Sequence, residues 1–180
     1  MYQDVMIAGF GGQGVLVMGK LLASAGMTEG RQVTWFPSYG AEIRGGTANC
    51  TVIVSSAAIC SPVVSRPSSM IVLNDASFIK FEGRIREGGY LFLNSSLVRT
   101  ASYRTDIVRI DIPASEIAEE LGDIKTANMV MLGAFLQRTG VLSLSSVSSA
   151  LGQVLSARGK ALIPLNEKAL AQGAAVIGGR

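Results

Sequence analysis

Histidine is absent from this 180-residue chain and cysteine occurs only twice. Without imidazole there is no histidine general base, no imidazole metal ligand and no Ser-His or Cys-His nucleophile pair. Cys50 and Cys60 are spaced neither as a CxxC redox pair nor as a zinc or iron–sulfur ligand set. The chain is therefore expected to hold no metal and no cluster, and to contribute no catalytic residue of its own. Cys50, inside the apolar run Cys50-Thr51-Val52-Ile53-Val54, has the setting of a small core residue. Charge is sparse as well, at 16% of residues with a net +3, and no basic run is longer than Arg84-Ile85-Arg86. That excludes a nucleic-acid footprint. No apolar run approaches the roughly 20 residues of a membrane span. The polar Tyr2-Gln3-Asp4 and the short run after it do not form a signal core. A reducing cytoplasm, with no nucleic-acid or membrane partner, is the expected setting.

What is present is apolar. Hydrophobic residues make up 48% of the chain, ample for the core of one domain spanning residues 1–180. So little charge leaves two explanations open: a surface covered by other subunits, or simply a well-buried α/β domain. Periodicity predicts strands at 5–8, 33–36, 50–54, 70–73, 90–93 and 107–112 and helices at 13–26, 77–81, 114–120, 127–139, 145–157 and 166–174. Met70-Ile71-Val72-Leu73 and Tyr90-Leu91-Phe92-Leu93 are continuous apolar runs, the mark of strands covered on both faces. The expected fold is a Rossmann-like α/β three-layer sandwich around a mostly parallel sheet. Ligands of such sheets sit beyond the carboxyl ends of the strands. Residues 9–14, the segment 36–47, and Asn74-Asp75 or Asn94-Ser95-Ser96 should then gather on one edge.

Gly9-Phe10-Gly11-Gly12-Gln13-Gly14 follows the apolar run Val5-Met6-Ile7-Ala8 and leads into Val15-Leu16-Val17-Met18, so strand, glycine turn and helix come in the order of a phosphate-binding βα unit. Glycine lets the backbone approach a ligand, and the first N–H groups of the helix are unpaired at the positive end of its dipole. A nicotinamide site would carry an acid about 20 residues on to hold the ribose hydroxyls. Here Gln32-Val33-Thr34-Trp35 runs into Phe36-Pro37-Ser38-Tyr39, with no acid before Glu42. A Walker A loop is excluded too, because Val15-Leu16 follows Gly14 and Leu21 follows Gly19-Lys20 where magnesium and phosphate ligands are required.

The polar, glycine-rich stretch 36–49 is expected to be a loop, and one of that length is usually functional or a packed Ω-loop. Arg44 beside Gly45 and Gly46 suits an anion fork, since guanidinium grips phosphate bidentately while glycine N–H groups come close. Glu42 and Arg44 could equally pair with another chain.

Residues 9–14 followed by Phe36-Pro37-Ser38-Tyr39-Gly40-Ala41-Glu42-Ile43-Arg44-Gly45-Gly46-Thr47-Ala48-Asn49-Cys50 closely resemble the gamma subunit of the 2-oxoacid:ferredoxin oxidoreductases. The likeness continues through Ser61-Pro62, Val72-Leu73-Asn74, Lys80-Phe81-Glu82, Gly88-Gly89 and Asn94-Ser95-Ser96 to Asn128-Met129-Val130-Met131-Leu132-Gly133-Ala134. The glycine motif is unspecific; the Tyr-Gly-Ala-Glu-x-Arg-Gly-Gly-Thr-Ala-Asn run is highly specific. The resemblance implies a complex that decarboxylates a 2-oxoacid on thiamine diphosphate and passes two electrons singly through iron–sulfur clusters to ferredoxin. It delivers the acyl group to coenzyme A. Thiamine diphosphate and the clusters would reside on partner subunits: alpha, beta and, as a further candidate, a ferredoxin-like delta.

On that resemblance the N–H groups of Gly11, Gly12 and Gly14 would receive a coenzyme A phosphate, with Gly9 completing the turn and Gln13 capping the site. Arg44, Gly45 and Gly46 would add charge and close approach, and Tyr39 would support the adenine or the pantetheine arm. Loop packing is the alternative for Gln13 and Tyr39. For the whole chain the alternative is an interaction subunit with no ligand. The Phe-Pro-Ser-Tyr-Gly-Ala-Glu wording is closer to the 2-oxoglutarate and 2-oxoisovalerate members than to the indolepyruvate ones.

Overall fold

The computed structural model describes residues 1–38 and 47–179, with Arg158 described by its backbone alone. Six strands, β1 (Tyr2–Phe10), β2 (Gln32–Ser38), β3 (Thr47–Ser55), β4 (Ser69–Val72), β5 (Tyr90–Asn94) and β6 (Val108–Ile112), form one sheet in the order β2-β3-β1-β4-β5-β6. β1 pairs with β4, β4 with β5 and β5 with β6 in parallel, whereas β3 runs antiparallel to both β1 and β2. The fold is the expected Rossmann-like α/β sandwich with a mostly parallel sheet.

Helices cover both faces. On one lie α1 (Val15–Thr28), α3 (Ala114–Leu121), α4 (Ala127–Thr139), α5 (Leu144–Val154) and α7 (Ile163–Gly178), with the single-turn α6 (Ala157–Lys160) between the last two; α2 (Asp75–Phe81) lies on the other. Strand alternation divides the core accordingly. Val5, Ile7, Ile71 and Phe92 join Met18, Leu132 and Phe135 beneath the larger layer, while Met6, Ala8, Met70, Val72, Leu91 and Leu93 pack on Phe78 and Phe81 of α2. Successive residues of β4 and β5 therefore meet helix on opposite sides, which is why Met70-Ile71-Val72 and Leu91-Phe92-Leu93 are apolar without a break, with polar Ser69 and Asn94 only at the strand ends.

Local sequence sets the helix limits. Asn74 caps α2 by accepting from the Ser77 N–H at 2.9 Å, and Ser143 caps α5 by accepting from the Ser146 N–H at 3.1 Å. α4 and α7 cross at backbone contact, because a Cβ on Gly133 would overlap the carbonyl of Leu170, and one on Gly173 the carbonyl of Val130. Gly19 is inside α1, where a Cβ would come within 2.6 Å of Trp35 Nε1 and 2.7 Å of Cys50 Sγ. Cys50 is fully buried there, and burial pushes its thiol up to about 12, so it is a neutral core residue.

Several bounds depart from expectation, among them the predicted helix 145–157, which ends at Val154 in α5 before the separate α6. The segment 36–49 is not loop throughout: β2 continues to Ser38 and β3 begins at Thr47, with Ser38 paired to Asn49 and Phe36 to Thr51. The strands extend because Phe36, Ser38, Asn49 and Thr51 alternate with the α1-facing Trp35, Cys50 and Val52, a two-residue period hidden by their polarity. α7 also begins earlier and ends later than its predicted 166–174, with Pro164 in its first turn.

Candidate functional site

The parallel strands end together at one edge of the sheet, where β1 finishes at Phe10, β4 at Val72 and β5 at Asn94. β2 ends there at Ser38 and the antiparallel β3 starts there, since Thr47 pairs with Phe10. Tyr39, Glu42, Arg44, Gly45 and Gly46 fall between Ser38 and Thr47 and lie outside the described residues.

The glycine turn is built as its sequence requires. The N–H of Gln13 reaches the carbonyl of Phe10 at 3.2 Å, and Gly12 and Gly14 hold φ angles of 94° and 76°, in the left-handed region that β-carbons disfavour. Gly14 is the N-cap of α1 and offers no capping side chain, so the first turn of the helix presents its own N–H groups. Gly9 is a packing residue: a Cβ there would lie 2.9 Å from both Gln13 Oε1 and Val15 Cγ2. Gly14 is also where α1 meets α4, because a Cβ would overlap the carboxamide of Asn128.

Gln13 turns back into the protein. Its Oε1 accepts from the Phe10 N–H at 2.7 Å and from Asn74 Nδ2 at 2.7 Å, and its Nε2 donates to the Leu73 carbonyl at 3.4 Å. The glycine turn is thereby tied to the β4–α2 junction through Asn74, whose other amide atom caps α2.

Two cavities open on either side of the turn and share Gly12. One, of about 390 Å³, is lined by Gly11, Gly12, Gly14 and the first residues of α1, with Phe10, Ser38 and Ala48 as its wall. The other, of about 220 Å³, lies between the turn and the ends of β4 and β5, and is lined by Gln13, Asn94, Ser115, Lys125 and Asn128 among others. Asn74 and Asn94 were expected at this edge from the sequence. Ser115, Lys125 and Asn128 were not, since Ser115 is at the start of α3, Lys125 and Asn128 flank the start of α4, and no local motif marks them. Among the described residues no group of three or more His, Cys, Asp or Glu side chains could hold a metal, and no helix is long and apolar enough to cross a membrane.

The glycine turn between strand and helix, the strand order and this edge define a Rossmann-like α/β domain. Residues 4–176 match the model of the pyruvate ferredoxin/flavodoxin oxidoreductase family, and the chain belongs to that family. It is 41% identical over 172 residues to the ketoisovalerate oxidoreductase subunit VorA of Methanothermobacter marburgensis, covering 94% of this chain and 35% of that relative. The chain thus spans about a third of the length of that curated relative. The crystal structure of the gamma subunit of keto/oxoacid ferredoxin oxidoreductase from Geobacter sulfurreducens superposes with a TM-score of 0.86 at 27% identity over 99% of both chains. The same fold, at a TM-score of 0.89 and 23% identity over 99% of this chain, forms 31% of a chain of Magnetococcus marinus 2-oxoglutarate:ferredoxin oxidoreductase, solved with 2-oxoglutarate, coenzyme A and succinyl-CoA bound.

Proposed function

We propose that this chain is the gamma-type part of a thiamine-diphosphate-dependent 2-oxoacid:ferredoxin oxidoreductase, which oxidatively decarboxylates a 2-oxoacid to the acyl-CoA. Its share of the work is to bind coenzyme A and to hold the assembly together. The observation that carries the reading is the cavity of about 390 Å³ onto which Gly11, Gly12, Gly14 and the start of α1 open. That volume is of the size that takes a cofactor portion, and its lining joins the glycine turn at the positive end of a helix to the apolar Phe10, Val15, Leu16, Val17 and Ala48.

In this reading the pyrophosphate of coenzyme A lies over the glycine turn, whose two left-handed residues let phosphate oxygens approach the first turn of α1. Gln13 holds the turn to Asn74 from behind and so fixes where those N–H groups point. Tyr39, Arg44, Gly45 and Gly46 enter the proposal on the sequence alone: Arg44 as the fork on a phosphate, Gly45 and Gly46 as close backbone, Tyr39 as support for the adenine or the pantetheine arm. Thiamine diphosphate and the iron–sulfur clusters are assigned to the alpha, beta or delta partners, which pass electrons to ferredoxin.

Arg44→Ala in the assembled complex tests this. A lost charge-assisted hydrogen bond costs about 1.5–3 kcal/mol, so the KM for coenzyme A should rise roughly 10- to 150-fold while that for the 2-oxoacid holds. Arg44→Lys should recover only part, because lysine keeps the charge and loses the planar fork. Unchanged coenzyme A kinetics in an intact complex would remove Arg44 from the site. A fall in all activities together with a loosened complex would make it an intersubunit contact.

A further inference from the structure

We propose that the smaller cavity, between the glycine turn and the ends of β4 and β5, is a second anion site that takes a single phosphate-type group. At about 220 Å³ it is below the roughly 300–1,000 Å³ of a site for a whole cofactor, so it suits one charged group. It opens beside the β1–β4 boundary, with Gly12 and Gln13 after β1 on one side and Leu73 after β4 and Asn94 in β5 on the other. From β1 the chain crosses through α1 to β2 on one side of the sheet, while β4 and β5 lie on the other, so this is the switch point of the topology.

Three helix starts surround it: Gly12 and Gln13 ahead of α1, Ser115 in the first turn of α3, and Asn128 in the first turn of α4. Their dipoles make the cavity positive, and Lys125, just ahead of α4, adds a full charge. No carboxylate among the described residues lines it. Asp123, which accepts the Lys125 backbone N–H, Glu116, next to Ser115, and Asp75, two residues after Leu73, are the nearest described acids in sequence, and none is part of the wall.

The side chains carry the inference beyond helix ends. Asn128 is only 8% exposed; its Oδ1 is taken by the Met129 N–H at 2.9 Å, and its Nδ2 has no partner among the described residues. Ser115 is 5% exposed; its hydroxyl accepts from Asn94 Nδ2 at 2.9 Å, and its own proton has no acceptor among the described residues. Both side chains are part of the cavity lining with donor capacity unused by the described protein groups, and Lys125 lines the same cavity. A cation would be repelled and an apolar group would leave the donors unmatched. A tetrahedral dianion, with oxygens in several directions, would satisfy the amide, the hydroxyl and the ammonium together.

Such a group has two sources: inorganic phosphate, or a phosphomonoester on a larger ligand such as the 3′-phosphate of coenzyme A. Only the second rests on the function proposed above, and it is open to this site because Gly12 lines both cavities. The test uses the full chain and its Lys125→Met and Asn128→Asp variants. Lys125 is exposed, so its replacement leaves the fold intact, and aspartate has the shape of Asn128 but puts a negative charge where the donor stood. Titration calorimetry with inorganic phosphate, coenzyme A and 3′-dephospho-coenzyme A reads the outcome.

Phosphate binding weakened about tenfold or more in both variants supports the site, whatever coenzyme A does. So does a preference for coenzyme A over its dephospho form that both variants abolish, and this second result names the 3′-phosphate as the source. Phosphate binding that is absent or equal in all three proteins, with no preference between the two coenzymes, overturns the inference. Coenzyme A bound equally by all three would still support the glycine-turn reading. Variant-sensitive phosphate binding with no coenzyme A binding would sink that reading and keep the second site.

Discussion

Gly14→Ala should be among the most costly single methyl additions at the site, for two separable reasons. The residue sits at a φ of 76°, which costs an L-residue about 1–2 kcal/mol. Its new Cβ would also overlap Nδ2 of Asn128 and come within 3.0 Å of Cγ, an overpacking of the α1–α4 contact worth about 1–3 kcal/mol. The sum, about 2–5 kcal/mol, should lower the midpoint of thermal unfolding by roughly 4–20 °C for a domain of this size. In an Asn128→Ala background the clashing amide is gone and the remaining Cβ is at 3.5 Å, an ordinary contact. Only the backbone cost of about 1–2 kcal/mol should then remain. Urea unfolding of the two single variants and the double variant closes the cycle, with a coupling of about 1–3 kcal/mol expected between the positions. A Gly14→Ala cost below about 1 kcal/mol, or the same cost in both backgrounds, would refute the close approach of α4 to the glycine turn.

Other consequences are equally direct. Gly173→Ala should cost about 3 kcal/mol or more in urea unfolding, since its Cβ would meet the backbone of Val130, which has no rotamer to change; a near-neutral result would show that α4 and α7 can part cheaply. Of the two thiols, exposed Cys60 should react with a disulfide reagent in the native chain and Cys50 only on unfolding, because burial holds its thiol at about 12. Asp75 accepts the N–H groups of Thr100 at 2.9 Å and Arg99 at 3.0 Å, and these bonds, that of Thr100 foremost, lower its pKa from the usual 3.8. A carboxylate lowered in the folded state stabilises above its unfolded pKa and loses that contribution as the pH falls through the folded value, so Asp75→Asn should flatten the stability curve below about pH 4. An unchanged acid limb would remove Asp75 as the anchor of that loop.

What the sequence made legible follows from how each feature is encoded. β4 and β5 were plain because both of their faces are covered, so Met70-Ile71-Val72 and Leu91-Phe92-Leu93 could not alternate with polar residues. The glycine turn was plain because one contiguous segment carries strand, turn and helix start. The direction of β3 was not, since side-chain type sets which face a strand residue occupies and is silent on strand polarity. The ends of β2 and β3 read as loop in the sequence because polar Ser38, Asn49 and Thr51 face the side of the sheet away from α1. Gln13 was legible as part of the glycine turn, whereas its bond to Asn74 depends on the β1–β4 pairing, which is long-range. Ser115 meets Lys125 and Asn128 only after α3 and α4 have packed, so no spacing in the chain announces the cluster.

The central claim is best tested on the chain assembled with its own partners. Affinity-tagged chain purified from its source should carry alpha and beta subunits with it, and the preparation should reduce viologen only when a 2-oxoacid and coenzyme A are both supplied. The chain alone should show no turnover, and Arg44→Ala should raise the coenzyme A requirement of the assembled preparation. A tagged chain that elutes alone, with no coenzyme A-dependent viologen reduction in the fractions that contain it, would contradict the account.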